Sequence, residues 1–459
     1  MRLPVFLLCL FAVPLAACSE APDAETDANT PEAVSSEMPV AYDGDWTGVL
    51  DVGSAQLNLI LEVRGTDAVM ISVDQSGARM PIDVAQMDGE GFIGAMDSVG
   101  AAVNMDLVSP TTLSGTFSQG GASFPLTLER AQSASESMLA DTVTEPDFIV
   151  ETEAVRLAGT LQIPDGDGAR PAILLLNGSG SQDRNSTVAG QPVFGVLAEA
   201  LAERGIATLR LDDRGVGGSE MVIPVSPHDL AADAVAALAA LRRQTGINGQ
   251  CVGMLGHSEG GLIAFLAADA ADPAFILSLA GMHGTMADTL YEQSEAIFLA
   301  SGAGQAAADQ NRVLQDAMFA VMRDESVEDY PAALTEVLVA LGLPEAAARQ
   351  QGAIWGQDYA IAGLDLDPAP AISAYGGPVH GFFGERDLQV LAGPQSTRLL
   401  AAREGLPTQI SIVPGVNHLF QAATTGLPQE YATALHAMSP EALDMIADAA
   451  EDLIAQACD

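Results

Sequence analysis

The sequence predicts an α/β fold: a mostly parallel sheet with helices on both faces, interrupted by a helical insertion and preceded by a small all-β domain. Three observations lead there. From residue 147 onward, short continuous apolar runs alternate with helical patterns, as strands buried on both faces require. Residues 284–370 break that rhythm with Ala- and Gln-rich helical sequence and no strand candidate. Residues 41–130 instead alternate apolar and polar side chains, as in Gln56-Leu57-Asn58-Leu59, with Gly or Asp clusters between the segments.

At the amino end, Arg2 precedes an apolar run from Leu3 to Ala17 that holds Pro4 and Pro14. It is too short for a comfortable membrane-spanning helix and has the layout of a secretory signal, residues 1–17. The run ends Leu15-Ala16-Ala17-Cys18, which resembles the lipobox of bacterial lipoproteins. That resemblance implies lipidation of Cys18, and Ser19 after it goes with sorting to the outer membrane; ordinary cleavage among the alanines is the alternative. Residues 18–40 carry acidic and small side chains and no basic one, so they read as a tether that cannot bury a core. Residues 41–130 read as a sandwich or barrel, with Trp46 as a core anchor rather than a ligand-stacking ring. Residues 131–146 read as a linker.

Composition removes several functions. A formal charge of −43 repels phosphate backbones, so no nucleic-acid partner is expected. All 18 basic residues are Arg. Without Lys there is no phosphate-loop lysine, no Schiff-base lysine and no Ser-Lys hydrolase. No clustered metal-ligand pattern or dinucleotide fingerprint occurs, so no metal or cofactor is expected. Of four Cys, Cys9 leaves with the signal and Cys18 carries the lipid. Spacing does not say whether Cys251 and Cys458 meet, and two unpaired thiols is the preferred reading.

The α/β part, residues 147–459, opens with strands at Phe148–Val155 and Leu157–Ile163, then a buried-type strand at Ala172–Leu176. A helix over Val193–Arg204 ends at Gly205, and a strand follows at Ile206–Leu211. Ser226-Pro227-His228-Asp229 starts the next helix, with Ser as cap and Pro in the first turn. Strand Cys251–Leu255, helix Gly261–Ala270 and strand Ala274–Leu279 continue the series. After the insertion, which would lie as a cap over the strands' carboxyl ends, come strand Pro378–Phe383, helix Gln395–Glu404 and strand Thr408–Val413.

The decisive segment is Leu255-Gly256-His257-Ser258-Glu259-Gly260-Gly261, a G-x-S-x-G between an apolar strand and an apolar helix. A Ser on so sharp a turn needs small neighbours two residues before and after, here Gly256 and Gly260. The turn lifts the hydroxyl clear of the sheet and beside the positive end of the next helix. Ser is a poor nucleophile without a base to take its proton and an acid to orient that base. Asp387 follows the strand ending at Phe383, and His418 follows the strand ending at Val413, in the order acid then base. Glu385 is the nearest rival acid. For the oxyanion, the expected donors are the backbone N–H of Glu259 and that of Ser179, with Gly178 second, in the loop after Leu176. Asp212 and Arg214 are expected to brace a strand-end loop by an ion pair with each other. Asp183 and Arg184 either orient substrate or brace the loop that holds them.

Leu176-Asn177-Gly178-Ser179-Gly180-Ser181-Gln182-Asp183-Arg184-Asn185, the segment Asp212–Ser219, GHSEGG, GERD around Asp387 and NHLF around His418 occur in this order. Together they resemble bacterial α/β-hydrolase-fold esterases of the prolyl-oligopeptidase-like and dienelactone-hydrolase-like groups, over residues 147–459. The resemblance implies hydrolysis of carboxylic esters of small molecules, without a cofactor. A peptidase or aminoacyl hydrolase using the same three side chains is a second expectation. A non-catalytic envelope lipoprotein is a third. With the signal and anchor, the expected location is the periplasm or outer membrane.

Overall fold

The computed structural model describes residues 42, 44–130 and 142–458, apart from 52–55, 65–66, 73–77, 88–90, 97–98, 120–121, 153, 167 and 224. The expected signal, Cys18 and the tether lie outside the described residues. The described residues divide into two compact units, one within 42–130 and the other within 142–458.

The first unit is a closed antiparallel barrel of eight strands: β1 (Gly44–Asp51), β2 (Gln56–Arg64), β3 (Asp67–Ser72), β4 (Ala78–Met87), β5 (Gly91–Met96), β6 (Ala101–Ser109), β7 (Thr112–Gln119) and β8 (Ala122–Arg130). Each strand pairs with the next, and closure comes from Trp46 opposite Arg130 and Thr47 opposite Glu129. Inward positions alternate along the strands and are filled by Trp46, Leu61, Val63, Met70, Met105 and Leu128, all buried. Trp46 is a core anchor here. Its indole N–H donates to the Tyr42 carbonyl at 2.9 Å, and the Arg130 guanidinium lies 4.0 Å above its ring.

The second unit holds an eight-stranded sheet. Strands β9 (Thr142–Glu151) and β10 (Arg156–Pro164) form an antiparallel hairpin, and β9 begins within the segment read as linker. Then come β11 (Arg170–Leu176), a two-residue ribbon of β12 (Thr187–Val188) with β13 (Gln191–Pro192), α1 (Val193–Glu203), β14 (Ala207–Leu211) and α2 (Pro227–Leu241). Next follow β15 (Ile247–His257), α3 (Glu259–Ala271) and β16 (Ile276–Leu279). Six helices lead on: α4 (Met286–Ala300), α5 (Gln305–Met322), α6 (Tyr330–Ala340), α7 (Glu345–Trp355), α8 (Asp358–Gly363) and α9 (Ala369–Ala374). The series closes with β17 (Val379–Gly384), α10 (Ala392–Ala402), β18 (Thr408–Val413) and α11 (Pro440–Cys458).

The sheet order is β18-β17-β16-β15-β11-β14-β10-β9, parallel from β18 to β14 and antiparallel at β10 and β9. This is the α/β-hydrolase arrangement. Strand β11 shows why continuous apolar runs were needed. Ala172 and Leu174 enter the core with α2 and α3, whereas Ile173 and Leu175 enter the core with α1 and α11. Helix α2 begins with a capping box in which Ser226 Oγ accepts from the Asp229 N–H and Asp229 accepts from the Ser226 N–H. From β11 the chain moves to one side through α1 to β14, then returns through α2 to β15 on the other side. That reversal opens a crevice at the carboxyl ends of β11 and β15, where such sheets bind ligands.

One expectation is overturned. Cys251 and Cys458 are not free thiols but form a disulfide, with Cα atoms 5.5 Å apart and 207 residues between them in sequence. Folding lays the end of α11 against β15, a proximity that spacing does not reveal. Closing so long a loop removes much unfolded-chain entropy, about 3–5 kcal/mol of stability. We expect Tm to fall by about 5 °C or more with dithiothreitol and in Cys458→Ser, and dithiothreitol to have no further effect on that variant.

Candidate active site

Ser258 joins β15 to α3 with φ +55° and ψ −118°, a conformation that side chains other than Gly rarely adopt. The surroundings hold it there. Its N–H donates to Leu279 O at 2.9 Å, and its carbonyl accepts from Gly261 N at 3.0 Å and Met282 N at 3.2 Å. The flanking glycines are packing requirements. A Cβ at Gly256 would lie 2.0 Å from the Gly260 carbonyl oxygen, and one at Gly260 would lie 2.2 Å from that of Leu176.

Asp387 and His418 extend from the loops after β17 and β18, and the structure brings them together. His418 Nδ1 lies 2.8 Å from Asp387 Oδ2, with both side chains buried. Since a carboxylate only accepts, Nδ1 carries the proton and Nε2 is left as the basic nitrogen. Asp387 Oδ1 accepts from the backbone N–H groups of Gln389 at 2.8 Å and Val390 at 2.9 Å, so both its oxygens are engaged. Asn417 stiffens the His418 loop, its Oδ1 accepting from Leu419 N and Gln421 N at 3.0 Å each. The rival acid Glu385 turns away, accepting instead from Gly415 N at 2.9 Å.

His257, the residue before Ser258, contacts the His418 loop, a contact that sequence reading missed. Its Nε2–H donates to the His418 carbonyl at 2.9 Å, and the two rings are 4.7 Å apart. Burial, then the neighbouring His418, pushes the His257 imidazole down to about 3, so it stays neutral and acts as a fixed donor. Among the described residues no hydrogen bond joins Ser258 Oγ to His418; such bonds often tighten only with substrate present.

Ser258, Glu259 and Ser179 line one cleft together with Gln389, Val390 and Met282. Helix α4 closes it with Met286, Thr289, Leu290 and Gln293. Gly178 lies behind Ser258, where a Cβ would come 3.2 Å from the Ser258 Cβ. The Asn177–Gly180 loop is anchored from beneath. Asn177 Nδ2 donates to Leu211 O at 3.2 Å and Asp213 Oδ1 at 3.1 Å, and Gln182 Nε2 donates to Ser179 O at 3.1 Å. A second contact from the insertion reaches the turn itself, where the Tyr359 hydroxyl on α8 donates to Glu259 Oε1. Neither Tyr359 nor Gln293 had a sequence signal, because the helices that carry them show only generic apolar spacing.

The expected Asp212–Arg214 pair does not form. Asp212 instead holds Arg184 at 2.6 Å, and Arg214 holds Asp233 on α2 at 2.6 Å. Strand β14 ends at Leu211, and the turn that follows carries the two side chains to different partners. Burial raises the Asp212 carboxyl, but the Arg184 side chain and the backbone N–H groups of Arg184 and Gly218 outweigh it and hold the group low. Asp183 braces its own loop, accepting from Asn185 N at 2.9 Å and Thr187 N at 3.1 Å. No group of three or more His, Cys, Asp or Glu among the described residues is placed to hold a metal. No described helix is long and apolar enough to cross a membrane.

Comparison with known proteins agrees with this architecture. Residues 192–329 match the family described as serine aminopeptidase, S33, within the hydrolases. Esterase EstD of Thermotoga maritima is 32% identical over 110 residues, 23% of this chain and 26% of that esterase, so the match spans about a quarter of the relative. Among solved structures, the Pyrococcus furiosus esterase Pf2001 covers 70% of this chain and 93% of its own at 12% identity, with a TM-score of 0.44. Est1E of Butyrivibrio proteoclasticus, solved with ferulic acid, covers 68% and 98% at 15% identity, with a TM-score of 0.39. Over the matched stretches the chain is similar to hydrolases of the esterase kind.

Proposed function

We propose that the chain is an exported serine hydrolase that cleaves carboxylic esters of small substrates through an acyl-enzyme. The observation that carries this reading is the buried 2.8 Å Asp387–His418 pair, packed through His257 against the strained Ser258 turn. His418 Nε2 takes the proton of Ser258 as its Oγ attacks the ester carbonyl. The N–H groups of Glu259 and Ser179, or of Gly178 in second place, receive the oxyanion. Collapse breaks the C–O bond, and the alcohol leaves with the proton from His418. Water, deprotonated by the same nitrogen, then attacks the acyl-enzyme and frees the acid and Ser258. Asp387 holds the required tautomer and stabilises the imidazolium. No cofactor is needed.

Export, with a lipid anchor at Cys18 in the periplasm or outer membrane, belongs to the same proposal. The Cys251–Cys458 disulfide supports it, since such bonds persist in oxidising compartments. A fluorophosphonate probe should label wild type on Ser258 and leave Ser258→Ala unlabelled. Equal labelling of folded Ser258→Ala would reject the nucleophile. The aminopeptidase-family match at residues 192–329 favours a second reading, aminoacyl or peptide hydrolysis by the same groups. Turnover of aminoacyl p-nitroanilides above that of p-nitrophenyl butyrate would select it.

A further inference from the structure

The cleft is closed by a wall that is apolar except at two positions, Thr289 and Gln293, one turn apart on α4. Thr289 is satisfied within the protein. Its hydroxyl donates to Thr285 O at 3.0 Å and accepts from Gln395 Nε2 at 3.3 Å. On the opposite wall Gln389 is also committed, since its amide donates to the Tyr431 hydroxyl. Gln293 differs from both. It is only 7% exposed, and its Nε2 is wholly buried without a hydrogen-bond partner among the described residues. A buried amide donor without an acceptor is costly, and protein interiors seldom keep one without a reason. An Ala, Leu or Met at this helical position would complete the apolar wall at no such cost.

We propose that Gln293 is a specificity-determining residue whose amide donates to an oxygen acceptor on the substrate, beside the ester that Ser258 attacks. This rests on the serine-hydrolase reading above. The substrate class is then an oxygenated ester, with an ether, hydroxyl or carbonyl oxygen in its acyl or alcohol part, rather than a plain alkyl ester. An alkyl group in the cleft excludes water and leaves the Gln293 donor unmet, whereas an oxygen in the same place pairs with it. Sites built to hydrogen-bond a substrate group reject the analogue that lacks it far more strongly than apolar pockets reject a missing methylene.

Two isosteric pairs test the proposal on the full chain. One is p-nitrophenyl methoxyacetate against p-nitrophenyl butyrate; the other is 2-methoxyethyl acetate against butyl acetate. The variants are Gln293→Met, which keeps side-chain length and removes the amide, and Gln293→Leu, which also carries no hydrogen-bonding atom. The ratio of kcat/KM within a pair, divided by the wild-type ratio, cancels the intrinsic reactivity of each ester. For at least one pair it should fall about 10- to 100-fold in both variants. A ratio unchanged in both pairs, or equal losses on both members, would mean a packing role only and overturn the proposal. If wild type hydrolyses none of the four esters, the ester-hydrolase reading fails and takes this one with it. Ser258-dependent turnover with flat ratios defeats the Gln293 assignment alone.

Discussion

Ser258→Ala or His418→Gln is expected to lower kcat on p-nitrophenyl butyrate by about 10⁵- to 10⁶-fold, and the double variant no further than either single one. The reason lies in the chain of contacts. In the proposed mechanism the hydroxyl is inert unless Nε2 of His418 accepts its proton, so each residue would be useless alone. Asp387→Asn should cost less, about 10⁴-fold. Its carboxylate serves the Gln389 and Val390 N–H groups through one oxygen and His418 through the other. An Asn has a single acceptor oxygen. If that oxygen stays with the backbone, the amide N–H₂ faces His418 and enforces the wrong tautomer. Steady-state assays on variants of unchanged Tm measure all four rates. A double variant at least 100-fold slower than both singles would mean independent action and defeat the proposed relay.

Gly260→Ala is expected to destabilise the protein by about 3 kcal/mol or more and to abolish activity. The added methyl would meet the carbonyl oxygens of Leu176 at 2.2 Å and Asn177 at 2.7 Å. Both are backbone atoms at the end of a central strand, so no flexible side chain can swing aside. Relief requires β11 and α3 to separate, which also displaces the loop that carries Ser179. Gly393→Ala is the control. It sits in the first turn of α10 with nothing within 4 Å of its added Cβ, and should change stability by less than about 1 kcal/mol. Urea midpoints give the comparison; equal midpoints for the two variants would show that the turn relaxes freely.

How much of this was legible depended on whether a side chain's task was set by its own segment. Ser258, Gly256 and Gly260 share one turn, so five residues of sequence state the whole steric requirement. The meeting of Asp387 and His418 was legible because parallel strands deliver their following loops to the same edge, and chain order proposes which is acid and which is base. The same logic failed for Asp212 and Arg214. Nearness in sequence suggested a pair, yet their partners come from the loop after β11 and from α2, elements whose approach only the folded sheet defines. His257 stands next to the nucleophile in sequence, and nothing in its segment announces a task. Its ring instead supports the carbonyl of a residue 161 positions later. Gln293 and Tyr359 sit on helices whose pattern announces a buried face and not what that face covers. Cys251 was visibly a core position, but the distance to Cys458 is a property of the finished fold.

The disulfide also sets how the molecule tolerates cleavage. The polypeptide between Cys251 and Cys458 includes the whole helical insertion, Asp387 and His418. A single peptide-bond cut between Ser258 and His418 leaves two pieces joined through sulfur, with Ser258 on one and His418, with or without Asp387, on the other. A clipped molecule therefore keeps its complementing halves at one-to-one stoichiometry and undiluted by diffusion, and a reductant is what finally parts them. Hydrolysis of an exposed helix linker thereby becomes a wound that the remaining fold can carry.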